Sequence, residues 1–211
     1  MPTEHVISSI ANNVKSQIFH FESGRIFTPT CLNINGSHQA VLHALSRLTK
    51  KGVIKRVYRG LYYKPELSTL FSGRDLPPDP YQIISVLTHA NNENIQIHGG
   101  HALNRLGISN QVPMIYVYYT NGRSREIRIG GLRVKFVHSS YKPLFETSDP
   151  KVATSVSAMY FLGKNLVNED VIQCIRLFLT GNQFEDLKNL ELNKWMKSAL
   201  NSSTKPCLNP L

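Results

Sequence analysis

Between Glu22 and Glu66 the chain carries eight Lys/Arg residues and no acid: Arg25, Arg47, Lys50, Lys51, Lys55, Arg56, Arg59 and Lys64. The chemistry open to such a set is neutralisation of a polyanion. Cationic side chains placed against duplex phosphates release condensed counterions, and that release drives sequence-independent binding. A solvated surface normally mixes both signs of charge. The absence of acids across 43 residues therefore argues against simple solvation. Most of the cations fall in Ser37–Pro65, SHQAVLHALSRLTKKGVIKRVYRGLYYKP. There Ser37, His38, Gln39 and His43 occupy the early positions of a helix, from which side chains reach base edges in a major groove. Gln39 can pair bidentately with adenine. Arg47, Lys50 and Lys51 lie further along. Lys55, Arg56 and Arg59 suit phosphates, with Arg59 placed for a minor groove if it sits at a hairpin tip. This segment lacks an aromatic stacking platform, so duplex DNA is the expected partner in preference to RNA.

Other residue patterns offer weaker chemistry. His98-Gly99-Gly100-His101 puts two histidines at i and i+3, which can share a helix face. A catalytic metal site needs a third ligand and an open position. His89 and His138 are available, but neither has motif spacing and no carboxylate is near in sequence. A tight approach or a helix entry explains the Gly pair better. Gly99-Gly100 and Gly130-Gly131 match no phosphate-loop or dinucleotide pattern. No GxSxG occurs, and no cysteine has an evident histidine partner. The acidic pairs Glu169-Asp170 and Glu185-Asp186 fall near expected helix starts, where they complement the dipole. No catalytic residue, metal or cofactor is expected, and the chain is not read as an enzyme. Arg123, Arg125, Arg128, Arg133 and Lys135, opposed by Glu126, give +4 in thirteen residues. On strands of alternating residues several of them would share a face. That strip suits nucleic acid or an acidic partner, or else a charged sheet edge that discourages aggregation. Tyr116, Tyr118 and Tyr119 read as packing residues.

The elements that must position these groups follow from periodicity and turn chemistry. Val6, Ile7, Ile10, Val14 and Ile18 give a helix over 3–18 with Thr3 as N-cap. A short strand follows at 25–27, then a short helix at 29–34 opened by Pro29. After the turn Asn35-Gly36, Ser37 caps a helix to about Lys51 with a core stripe of Val41, Ala44, Leu45 and Leu48, ended by Gly52. Residues 53–57 and 61–64 are β-rich around Tyr58-Arg59-Gly60, and Gly60 can take the positive φ of a tight hairpin. Helix, short strand, helix, helix, two-stranded wing is winged helix-turn-helix order. Ser72-Gly73 and Pro77-Pro78-Asp79-Pro80 mark a linker. Beyond it, helices are expected at 81–91 and 99–106. Strands follow at 114–120, 126–129 and 132–137, with hairpin signals at Asn121-Gly122 and Gly130-Gly131. Helices close the chain at 152–162, 169–179 and 184–200, and the polar tail after Ser202 is expected to fray.

Composition sets the outer bounds. The chain has 211 residues, a formal charge of +10 and 41% hydrophobic residues, enough for one large or two small cores. Residues 1–65 hold nine Lys/Arg against two acids, and residues 66–211 hold fifteen against twelve. A basic module joined to a nearly neutral body fits that asymmetry. Cys31, Cys174 and Cys207 are odd in number and far apart, so a reducing cytoplasm is expected. The N-terminus lacks the pattern of a signal peptide, and no apolar run approaches the roughly 18 residues of a membrane span.

The stretch ALSRLTKKGVIKRVYRGLYYKP (Ala44–Pro65) resembles the N-terminal winged helix of the AbiEi-like antitoxins of bacterial type IV toxin–antitoxin systems. GGHALNRLGISNQVP (Gly99–Pro113) and VYYTNGRSREIRIGGLRVKFVH (Val117–His138) are similar to the body that follows in that family. The resemblance covers about residues 1–165, and the final helices carry no matching signature. It implies a winged helix that represses its own operon by binding double-stranded promoter DNA. Arg47, Lys50, Lys51, Lys55, Arg56 and Arg59 are the matching positions. It also implies a second domain that antagonises a nucleotidyltransferase-like toxin without a stable complex. Arg123 to Lys135 is the candidate antitoxic or partner surface read from the residues themselves. The expected fold is α+β. Residues 1–66 form the winged helix-turn-helix, 67–80 the linker, and 81–211 an α+β effector domain with a small antiparallel sheet and C-terminal helices. A homodimer on DNA would match a palindromic operator. The rival readings are a transcriptional regulator whose second domain senses a ligand or partner, and a nucleic-acid-modifying enzyme docked by the winged helix.

Overall fold

A computed structural model of the chain describes residues 10–67, 75–111, 114–129 and 132–202. The expected cap at Thr3, the helix turns before Ile10, the glycine hairpin at 130–131 and the tail after Ser202 lie outside those residues. The chain is α+β, and its contacts divide it into two units, 1–92 with 129–131, and 93–128 with 132–211.

The first unit opens with helix α1 (Ile10–Phe19), which buries Val14 and Ile18. Strand β1 (Ile26–Phe27) leads into a single 3-10 turn, Pro29–Cys31. The helix expected through Ile34 stops there because Leu32 is already extended. Helix α2 (His38–Lys50) begins where Ser37 Oγ accepts the Ala40 N–H at 3.2 Å. It ends where the Gly52 and Val53 N–H groups donate back to the carbonyls of Thr49 and Leu48. Gly52 sits at φ 72°, the left-handed residue such a helix end requires. Strands β2 (Lys55–Tyr58) and β3 (Leu61–Tyr63) follow, joined through Gly60 at φ 74°. The antiparallel order is β1-β3-β2, with Ile26 opposite Tyr63 and Arg56 opposite Tyr62. The core is Val14, Ile18, Phe27, Leu32, Val41, Ala44, Leu45, Leu48, Ile54 and Tyr62. Burying such side chains stabilises by about 1.5–3 kcal/mol each before entropy is counted.

Helix α3 (Pro80–Ala90) is capped by Asp79, whose carboxylate accepts the Tyr81 N–H at 3.0 Å. It packs on β1 and so belongs to the first unit, although a boundary at 80–81 was expected. Within the expected linker, Leu67 and Asp75 are paired through an antiparallel bridge.

The second unit contains strand β4 (Ile95–Ile97), helix α4 (Gly99–Arg105), strand β5 (Tyr116–Thr120), all but the last residue of β6 (Arg125–Ile129), and β7 (Leu132–His138). Helices α5 (Pro150–Leu162), α6 (Glu169–Phe178), α7 (Gly181–Asn189) and α8 (Lys194–Ser202) close it. The sheet order is β4-β5-β7-β6. It corrects two expectations. The sheet is mixed, since β5 and β7 run parallel with Tyr118 opposite Phe136. Asn121-Gly122 does not join paired strands, because β7 lies between β5 and β6. That dipeptide is instead fitted against residues 93–94. Asn121 Oδ1 accepts the Asn94 N–H at 2.8 Å, and a Cβ on Gly122 would lie 2.5 Å from the Glu93 carboxyl carbon. The single helix expected at 184–200 is two. Leu190 is extended, and Tyr141 Oη accepts the Asn193 N–H at 3.2 Å, holding the break open. Glu185 and Asp186 therefore lie in the middle of α7, whereas Glu169 and Asp170 do occupy the first turn of α6. The helices pack around Ala102, Val152, Val156, Met159, Ile172, Ile175, Leu187, Met196 and Leu200. Among the described residues no helix is long and apolar enough to cross a membrane.

Candidate nucleic-acid interface

Helical spacing divides α2 cleanly. Val41, Ala44, Leu45 and Leu48 face the core, and His38, Gln39, His43, Ser46, Arg47 and Lys50 are exposed. Ser37 and Lys51, at its two ends, are exposed as well. On the hairpin, Lys55, Arg56 and Arg59 are exposed while Leu61, Tyr62 and Tyr63 are buried. All ten side chains singled out from the sequence thus reach solvent from a scaffold whose opposite side is core. Residues 5–65 contain one acid, Glu22, in the turn after α1.

Two of the eight cations in the acid-free segment have structural work instead. Lys64 Nζ donates to the Phe19 and Phe21 carbonyls at 2.9 and 2.6 Å, closing the C-terminal end of α1 where the helix dipole favours a cation. The Arg25 guanidinium lies over the Phe21 ring, 4.0 Å from its centroid. Lys55 is paired too, 2.5 Å from the Asp75 carboxylate. That acid lies 20 positions along the chain from Lys55, and nothing local in the sequence announces the pairing.

The strip from Arg123 to Lys135 separates into distinct groups. Arg125 forms a bidentate pair with Glu93 at 2.9 and 2.6 Å and lies 4.2 Å from the Phe136 ring centroid. Arg133 forms a second bidentate pair with Glu126 at 2.9 and 3.2 Å. The Arg133 guanidinium holds the Glu126 carboxyl below its usual range. Arg123, Arg128 and Lys135 are exposed. Sequence reading missed Glu93, which lies 32 positions from Arg125 and carries no motif.

His98 and His101 make separate contacts. His98 Nδ1 accepts the Gly100 N–H at 3.4 Å as the cap of α4. Its ring packs on Tyr119 and Phe161, 4.6 and 5.0 Å between centroids. His101 Nε2 lies 3.0 Å from the Ile115 carbonyl. Burial first, then His101 and Lys135, lower the His98 pKa below its ordinary 6.5. Burial also pushes the Tyr119 hydroxyl up to about 12. Gly99 is explained by close approach, since a Cβ there would fall 1.9 Å from Phe161 Cβ. Among the described residues no group of three His, Cys, Asp or Glu side chains is placed to hold a metal.

A family model described as a family of unknown function, DUF6088, matches residues 10–187. No curated protein matches the sequence. Among solved structures, the crystal structure of the RV2827C protein from Mycobacterium tuberculosis is similar at 13% identity and a TM-score of 0.42, covering 92% of this chain and 76% of that one. A likeness of that size supports no statement about function.

Proposed function

The chain belongs to the DUF6088 family, whose function is unknown, and for this member we propose a cytoplasmic DNA-binding antitoxin that represses its own operon. The observation that carries the DNA part is the exposed cationic face of α2 and the β2–β3 hairpin, with one acid in residues 5–65. The order helix, strand, 3-10 turn, helix, hairpin with a β1-β3-β2 sheet supports reading it as a winged helix. In that reading α2 enters the major groove. Gln39, His38 and His43 reach base edges, Arg47, Lys50 and Lys51 follow the groove wall, and the hairpin cations hold phosphates. The antitoxin part rests on the likeness of Ala44–Pro65, Gly99–Pro113 and Val117–His138 to AbiEi-like antitoxins. Antagonism of a nucleotidyltransferase-like toxin is assigned to the second unit, on the surface of Arg123, Arg125, Arg128, Arg133 and Lys135, of which Arg125 and Arg133 are held in carboxylate pairs.

Fluorescence polarisation with a duplex from the chain's own upstream region tests the DNA part. Arg47→Ala with Arg59→Ala is expected to weaken binding about tenfold or more near 0.1 M salt. The slope of log K against log salt should flatten by about 1.8, or about 0.9 for each lost phosphate contact. Unchanged affinity and slope would remove α2 and the hairpin from the interface.

A further inference from the structure

Among the described residues, the ten candidate DNA-facing side chains make one ion pair, Lys55 to Asp75. Asp75 is no loose surface acid. Its backbone bridges to Leu67, the Leu76 N–H donates to the Glu66 carbonyl at 2.8 Å, and the Tyr63 hydroxyl donates to the Leu76 carbonyl at 2.8 Å. Tyr63 is also the cross-strand partner of Lys55. Leu67 and Asp75 are therefore bridged beside the hairpin, and Asp75 sets one carboxylate against one hairpin lysine. Lys55 keeps about half of its side chain exposed, so the ammonium is accessible while paired.

We infer that Asp75 is a built-in competitor for the duplex phosphate that Lys55 would otherwise hold, so its carboxylate lowers the affinity of the hairpin for DNA. The inference rests on the duplex-binding reading above. A lysine bound to a fixed carboxylate must exchange one anion for another when it meets a phosphate. Such an exchange yields little net gain, and the freed carboxylate then faces a polyanion. Lys55 thus contributes less than a full ionic contact in the native chain, and removing the Asp75 charge restores it. The device holds down non-specific binding, which is ionic, and leaves base-reading side chains on α2 untouched.

The test uses the full chain and a short labelled duplex of arbitrary sequence, titrated between about 50 and 200 mM salt. Asp75→Asn is expected to tighten binding about three- to tenfold at the low-salt end and to steepen the salt slope by about 0.9. Asp75→Glu, which keeps the charge, should retain the wild-type slope. In a Lys55→Ala background, Asp75→Asn should leave the slope unchanged. Equal tightening with and without Lys55 would show a general charge effect and overturn the inference. Wild-type binding that ignores Asp75→Asn would also overturn it while leaving the duplex-binding function standing. A wild-type chain that fails to bind any duplex would remove both. Thermal melts of each variant report whether the protein still folds, and Asp75→Glu separates a folding loss from a charge effect.

Discussion

Arg125 and Arg128 sit three positions apart on one strand and do different things. The Arg125 guanidinium is paired with the Glu93 carboxylate and lies over the Phe136 ring, whereas Arg128 is exposed. Glu93 keeps only 12% of its side chain exposed, so deleting its partner strands a largely desolvated charge. Arg125→Ala is expected to lower stability by about 1–3 kcal/mol in urea unfolding. Arg128→Ala and Lys135→Ala should stay within about 0.5 kcal/mol of wild type. Any loss of antitoxic activity in the latter pair would then report a surface and not a fold. His98 gives a pH signature with a definite sign. Its folded pKa is lowered, so below 6.5 the unfolded chain binds more protons than the folded one. Its contribution to stability is full above about 6.5 and is lost as pH falls from there through the folded-state value. His98→Asn keeps a cap acceptor and removes the titration. The melting temperature of the variant should fall less than that of wild type between about pH 7.5 and 5.

At the scale of elements, what is legible in the sequence is what is locally determined. Ser37, the 41-44-45-48 stripe, Gly52 and Gly60 each act within a few residues, and α2 with its hairpin appears within a residue or two of its expected bounds. The second sheet is different. The β5–β7 pairing depends on which strand inserts between β5 and β6, and Asn121-Gly122 carries no trace of that choice. The break at 190–193 depends on the hydroxyl of Tyr141, 52 positions upstream of Asn193. The Arg125–Glu93 and Lys55–Asp75 pairs were hidden for the same reason. Gly99 shows the local and the distant meeting at one residue. Its place at the start of α4 is readable, and the Phe161 side chain that forbids a Cβ there is not. Gly99→Ala is expected to cost about 1–3 kcal/mol by overpacking, measured by urea unfolding. Phe161→Ala in the same chain should recover little of that loss, because alanine keeps the Phe161 Cβ that a Gly99 Cβ would meet first.

At the scale of the whole molecule, the proposed function assigns repression and toxin antagonism to separate units. That assignment can be tested without cutting the chain. The Arg47→Ala, Arg59→Ala protein, produced from an unrelated promoter, should still restore growth to cells expressing the nucleotidyltransferase-like toxin that the proposal calls for. A reporter fused to its own upstream region should be derepressed by the same variant. Loss of both activities in a folded protein would show that toxin antagonism requires DNA binding.

The parallel pairing of β5 with β7 also sets an order of events during synthesis. Tyr116–Thr120 cannot gain its central neighbour until the ribosome has released the chain beyond His138. Until then one side of a tyrosine-rich strand offers unmatched amide and carbonyl groups to any passing chain. A nascent chain whose emerged portion ends between residues 120 and 132 therefore presents that unmatched edge, and translation pauses that hold it there should lower the soluble yield.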